Sequence, residues 1–263
     1  MTDKFFTKTI EHFKSFPEVD AIILGGSRAG DFADSDSDYD VYAFVNGDIS
    51  AKKRNSALRD TCYCADLDRR HWGGHWDDCV LKSGLPLEIT YWNLAATREN
   101  LQNHLQKFIP WNGYTTCICH VVFNAKVLYD PKNLFADIKN EFDMPYPDEL
   151  RENIIRTNRE VLDGITPSYM FQLERAIRRG DIFKTSHVLT SFAAAYFDII
   201  FALNRLYNPG EKKLIEICKR TCDILPVDFE KNLQRLFTAR DEKILPVAKD
   251  IVKNLDAVIS EKC

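Results

Sequence analysis

Apolar residues recur at helical spacing over residues 3–16, at Phe5, Phe6, Ile10, Phe13 and Phe16, and Pro17 stops the pattern. The short apolar run 20–24 predicts a strand beside that helix and ends in Gly25-Gly26-Ser27. After a polar loop rich in Asp and Ser, a second strand opens with Asp38-Tyr39-Asp40 and closes at the turn Asn46-Gly47-Asp48. Residues 49–64 read as a polar helix with Lys52, Lys53, Arg54, Arg59 and Asp60 on a solvated face, and 66–76 as a loop holding Trp72 and Trp76. Two short strands, 77–81 and 87–92, then flank the turn Lys82-Ser83-Gly84.

Residues 95–108 and 114–127 read as helices, and from about residue 134 the pattern is helical almost to the end. The segments are 133–142, 148–162, 168–179, 181–207, 211–221, 229–238 and 242–261, with Pro145, Pro147, Pro167, Pro209 and Pro226 between them. Segment 181–207 is apolar nearly all round, which predicts the buried centre of a bundle and makes His187 a satisfied core or cleft histidine. The expected fold is α+β. A small mixed-sheet domain with flanking helices spans 1–135, an all-α helical bundle spans 136–263, and the change of character lies between 130 and 147.

Composition narrows the function. A chain of 263 residues that is 45% hydrophobic and 28% charged has the balance of a soluble globular protein. A net charge of −4 disfavours nucleic acid as the main partner and suits a small-molecule enzyme. The sequence shows no leader pattern and no apolar run expected to cross a bilayer, so a cytoplasmic location is expected, with the eight cysteines reduced. Cys62 and Cys64 with His71 and His75 do not have the spacing of common zinc sites.

The chemistry concentrates in three carboxylates. Alternate residues of a strand share a face, so Asp38 and Asp40 point the same way. Two adjacent carboxylates repel unless a cation lies between them, and oxygen-only ligands suit Mg2+, which borrows its remaining ligands from water and phosphate. The Gly25-Gly26-Ser27 turn offers backbone N–H groups to such phosphates. Glu88 sits in the otherwise apolar strand LPLEITYW and shares a face with Thr90. A strand beside Asp38 and Asp40 would make it the third carboxylate, a general base for an acceptor hydroxyl or a group that helps bind a second ion. Trp72 and Trp76 line an acceptor pocket or form an apolar lid.

The order Gly26-Ser27, a spacer, then Ser37-Asp38-Tyr39-Asp40-Val41, with Glu88 on a later strand, resembles the nucleotidyltransferase superfamily of DNA polymerase β. Within it, the gap from Gly26 to Asp38 resembles that of the small aminoglycoside- and lincosamide-modifying enzymes and their uncharacterised relatives. The motifs cover residues 1–95, and the helical half agrees in layout. The resemblance implies Mg2+-dependent transfer of a nucleoside monophosphate, AMP from ATP, to a hydroxyl of a small molecule such as an aminoglycoside. Asp38 and Asp40 would hold one or two Mg2+ ions, Glu88 would act as base, and Gly26 and Ser27 would hold the triphosphate. The stretch ALNRLYNPGEKK matches the helix end that supplies basic side chains to the nucleotide, giving Arg205 and Lys212, with Lys213 as the alternative to Lys212. The sequence departs from the family at Gly30, where many relatives carry an Arg, while Arg28 reads as solvated. Competing readings are transfer to a protein or an RNA end, and a non-catalytic antitoxin-like nucleotide-binding module.

Overall fold

Asp3 accepts hydrogen bonds from the backbone N–H of Phe5 (2.7 Å) and Phe6 (3.2 Å) and so caps α1 (Lys4–Lys14). That helix buries Phe6, Ile10 and Phe13. The computed structural model describes residues 3–30, 37–70 and 74–262, so His71 and Trp72 lie outside the described residues. The chain divides into two compact units: Met1–Gln102 with Val121–Asp143, and Asn103–His120 with Met144–Cys263.

The first unit is built on a six-stranded sheet. In chain order it contains β1 (Val19–Leu24), α2 (Gly26–Ala29), β2 (Tyr39–Val45), α3 (Ala51–Leu58), β3 (Cys62–Arg69), β4 (Trp76–Leu81) and β5 (Pro86–Trp92). Helices α4 (Leu94–Leu105) and α5 (Cys117–Asn124) each carry residues of both units, and β6 (Lys126–Tyr129) and α6 (Leu134–Glu141) complete the first. The strand order is β3-β4-β5-β2-β1-β6. Among the described residues only β2 and β5 pair in parallel, so the sheet is mixed and the fold is α+β, as expected.

Side-chain alternation sorts the sheet into two faces. On one, Tyr39 stacks on Phe6 of α1 at 4.0 Å between ring centroids, and Val41, Leu87, Ile89, Cys79 and Leu81 join the same core as Leu58 of α3. On the other, Asp40, Glu88 and Asp78 share a level of the sheet, and Phe44 packs against Phe135 of α6 at 5.2 Å.

Three expectations about this unit need correction. The polar helix expected over 49–64 ends at Leu58, and much of the stretch read as helix end and loop is strand β3. This strand sits at one end of the sheet order, where solvent exposure lets Tyr63, Cys64, Asp66 and Asp68 stand on it and removes the apolar alternation that reveals a strand. The helix expected over 114–127 stops at Asn124, and a four-residue strand, β6, follows. Arg54, expected in solvent, is 1% exposed. It pairs with the fully buried Asp77, which also accepts from the Tyr91 hydroxyl at 2.7 Å and the Asp68 backbone N–H at 2.8 Å. Burial and the Asp77 carboxylate push the Tyr91 hydroxyl well above its ordinary pKa, so it stays a donor.

The second unit is helical: α7 (Asp148–Arg159) with a π-turn (Glu160–Gly164), α8 (Tyr169–Arg178), α9 (Ile182–Leu203), α10 (Leu214–Thr221), α11 (Phe229–Thr238) and α12 (Ile244–Lys262). α9 packs against α7, α8 and α10 and is buried almost continuously from Val188 to Leu203. Contrary to the expectation, this helix is long and apolar enough to cross a membrane by length and composition, but 78% of its most apolar window is buried inside the unit. Its first turns are not buried, which corrects the placing of His187: that residue is exposed, as are Ile182 and Phe183.

A carboxylate is buried deep inside this unit. Asp198 of α9 is 1% exposed and accepts from Thr115 Oγ1 (2.6 Å), Thr115 N (3.1 Å), Asn208 Nδ2 (3.0 Å) and Asn158 Nδ2 (3.3 Å). Asn158 also donates to the Trp111 carbonyl (3.0 Å) and accepts from Gly113 N (2.9 Å). The network fastens segment 111–116 to α7 and α9. Gly113 is required there, since its φ is +86° and an added Cβ would lie 2.8 Å from the Ala194 Cβ.

Candidate active site

Strand β1 delivers the Gly25-Gly26-Ser27 turn beside the start of β2, where the Gly25 N–H donates to the Asp40 carbonyl at 2.8 Å. Gly26 has φ +59°, and a Cβ built on it would sit 1.7 Å from Asp40 Oδ2. The glycine is therefore demanded twice, by its left-handed backbone and by the carboxylate lying against its Cα. Gly26→Ala is expected to displace Asp40, to destabilise the unit by about 2 kcal/mol and to reduce turnover about a hundredfold. Thermal melts and steady-state kinetics check both.

Parallel pairing of β2 with β5 makes Asp40 the register partner of Glu88, and antiparallel pairing of β4 with β5 makes Asp78 its partner on the other side. Neighbouring strands are about 4.8 Å apart, so three carboxylates stand in a row across the sheet. Asp38 immediately precedes β2 and lines a cavity of about 410 Å³ together with Glu88, Asp78, Asp66, Cys64 and Pro86. The row is partly neutralised: Arg69 pairs with Asp66 and approaches Asp78 at 3.6 Å.

Arg28 is not solvated, contrary to the expectation. Its Nε donates to the carbonyls of Ser37 (2.8 Å) and Asp38 (3.0 Å), and its guanidinium lies 4.2 Å from the Tyr39 ring centroid. Those bonds fix the backbone from which Asp38 projects. Lys126 of β6 in turn donates to the Arg28 carbonyl at 2.9 Å. Trp76, expected in a loop, begins β4, and its Nε1 donates to Asp78 Oδ2 at 3.2 Å. His75 is bonded to Asp68 at 2.9 Å.

Ser27 lies in the four-residue helix α2, next to Gly26. Arg205 and Lys212 belong to the helical unit; Arg205 pairs with Asp148, and both residues are exposed. Asp78, Arg28 and Arg54 were missed as contributors. Each acts through a partner that only strand pairing brings near, although the shared face of Glu88 and Thr90 was visible in the alternation.

The residues present fit Mg2+ by donor type. Asp40 lies against Gly26, which leaves its carboxylate a cradle that a Cβ would fill, and every nearby acidic donor is a hard oxygen. Among the described residues no group of three or more His, Cys, Asp and Glu side chains converges on one metal position. A shell completed by water and phosphate oxygens is the arrangement Mg2+ favours.

Among solved structures, the chain is similar to a nucleotidyltransferase-like protein from Exiguobacterium sibiricum 255-15, with 11% identity and a TM-score of 0.43 over 96% of this chain and 72% of that one. It is also similar to an aminoglycoside 6-adenyltransferase from Bacillus subtilis, with 10% identity and a TM-score of 0.34 over 100% of this chain and 92% of that one. No curated protein matches the chain. Residues 111–214, which include every member of the Asp198 network, match the model of a domain of unknown function, DUF4037.

Proposed function

We propose that this protein is a Mg2+-dependent nucleotidyltransferase that moves a nucleoside monophosphate, AMP from ATP, onto a hydroxyl of a small-molecule acceptor and releases pyrophosphate. The observation that carries this reading is the register of Asp40 with Glu88, with Gly26 pressed against the Asp40 carboxylate. Asp38 and Asp40 hold the metal, and Gly26 and Ser27 line the triphosphate. Bound Mg2+ neutralises phosphate charge as the reaction proceeds. Glu88 accepts the proton of the acceptor hydroxyl, whose oxygen bonds to the α-phosphorus. The bond from that phosphorus to its bridging oxygen breaks, and pyrophosphate leaves.

Two features favour a small acceptor carrying ammonium groups, such as an aminoglycoside. The cavity of about 410 Å³ has small-molecule dimensions. Among the described residues, its lining carries Asp38, Asp66, Asp78 and Glu88, and Arg69 pairs with Asp66 and approaches Asp78. Pyrophosphate release measured for each nucleoside triphosphate, with and without Mg2+, over a panel of hydroxylated acceptors tests the reading. Glu88→Gln is expected to bind nucleotide normally by calorimetry while transfer falls at least about a hundredfold. Equal loss of binding and transfer would make Glu88 a metal ligand instead.

A further inference from the structure

Arg179, Gly180 and Asp181 join α8 to α9, and Gly180 makes the turn with φ +64°. Asp181 Oδ1 caps α9 by accepting from Lys184 N at 2.9 Å. The first turns of α9 differ from the rest of that helix. None of the residues 182–187 is buried, and the buried stretch begins at Val188. Ile182 is 82% exposed and Phe183 84%, more than any other large apolar side chain among the described residues. Two adjacent apolar side chains standing in water lose the transfer free energy that burial would return, which marks the tip as a contact surface.

The same tip is cationic. Arg175, Arg178 and Arg179 are exposed at the end of α8, and Lys184 directly follows Phe183. Elsewhere arginines meet carboxylates, as Arg98 does with Glu141 and Arg159 with Asp256. Among the described residues these four cations form no ion pair, and Arg175 lies over the Phe171 ring at 5.5 Å instead. Glu174 and Asp181 offset only part of this charge, in a chain whose net charge is −4. The N-terminus of α9 adds positive partial charge of its own. Consecutive helical residues project about 100° apart, so Ile182 and Phe183 do not share one pocket of a rigid protein partner, and an isoleucine has no ring to stack on a base. A fluid boundary that is anionic outside and apolar within takes both side chains at once, while the long cationic ones stay at the phosphates.

We propose that the α8–α9 tip docks on an anionic lipid surface, with Ile182 and Phe183 entering the boundary between headgroups and acyl chains and Arg175, Arg178, Arg179 and Lys184 meeting the lipid phosphates. The contact is peripheral: from Val188 onward α9 is the core of its own unit, so the helix touches the bilayer by its tip and does not cross it. Apolar insertion and electrostatic attraction act together, because two inserted side chains or a few cations alone give only marginal binding. None of these residues belongs to the carboxylate row, so lipid docking and nucleotidyl transfer stand or fall separately.

The test is co-sedimentation of the full chain with vesicles of phosphatidylcholine alone and of phosphatidylcholine with about one-third phosphatidylglycerol. Binding is expected to the anionic vesicles only, and should fall at least about tenfold as salt rises from about 0.1 M to about 0.5 M. Ile182→Ser with Phe183→Ser, and separately Arg178→Glu with Arg179→Glu, should each lower the partition coefficient at least about tenfold. These side chains stand in solvent, so both double variants should melt within about 2 °C of the wild type. No binding of the wild type to anionic vesicles, equal binding to both kinds of vesicle, or binding that survives Ile182→Ser with Phe183→Ser would overturn the proposal. A dimer in analytical ultracentrifugation that the same pair of substitutions dissolves would overturn it in favour of a second copy of this chain. Tighter binding to single-stranded RNA or to polyglutamate than to the vesicles would overturn it in favour of a nucleic acid or an acidic protein.

Discussion

Asp40→Asn is expected to lower nucleotidyl transfer by about a thousandfold or more while the protein melts within about 2 °C of the wild type. The reason is local. Asp40 is half-buried on β2, beside Glu88 in register and against Gly26, and no apolar core residue depends on its charge. An amide of the same shape keeps the packing and relieves repulsion within the row. It also removes an anionic ligand from the position where Mg2+ would be held, and with it the charge neutralisation on which phosphoryl chemistry depends. Calorimetry with Mg2+-ATP should show weaker binding in parallel.

Asp198→Ala is expected to destabilise the helical unit by about 3–5 kcal/mol, enough to unfold it near physiological temperature. Thr115 N and Asn208 Nδ2 would lose their acceptor in a site 1% exposed, whereas Asn158 would keep its bonds to the Trp111 and Ile154 carbonyls. Circular dichroism melts of the two proteins would show it. The same carboxylate carries a pH signature. Burial raises its pKa to about 6, against the pull of hydrogen bonds from Thr115, Asn208 and Asn158. A raised carboxyl pKa means the folded state holds the proton more tightly than the unfolded chain. This group's contribution therefore falls as pH rises from about 4 to about 6, by roughly 3 kcal/mol, and is flat above that. The stability difference between wild type and Asp198→Asn, measured by urea unfolding over that range, should narrow accordingly.

What was legible in the sequence follows from how each feature is encoded. β1, β2, β4 and β5 were visible because their apolar positions alternate or run together and are bounded on at least one side by Gly or Asn-Gly turns. α11 was read to the residue, because an apolar stripe and flanking breakers define it. β3 was hidden by its own exposure: with Tyr63, Cys64, Asp66 and Asp68 in solvent, nothing separates it from a loop. β6 was hidden by brevity, since four residues cannot establish a period against the helix before them. At the site, Asp38, Asp40 and Glu88 could be singled out by residue type and order alone. Asp78 could not, because Asp77 and Asp78 are adjacent in sequence and only the pairing of β4 with β5 shows which one enters the core and which joins Glu88. Arg54 failed for the same reason, since a buried guanidinium is recognised by its partner and not by its neighbours in the chain.

The most direct test follows the α-phosphate. Wild-type protein incubated with Mg2+, an aminoglycoside acceptor and ATP labelled separately at the α and γ positions should move the α label onto the acceptor and release the γ label as pyrophosphate. Both should vanish without Mg2+ and in Asp40→Asn. Transfer of the γ label to the acceptor, or full α-label transfer by Asp40→Asn, would contradict the account.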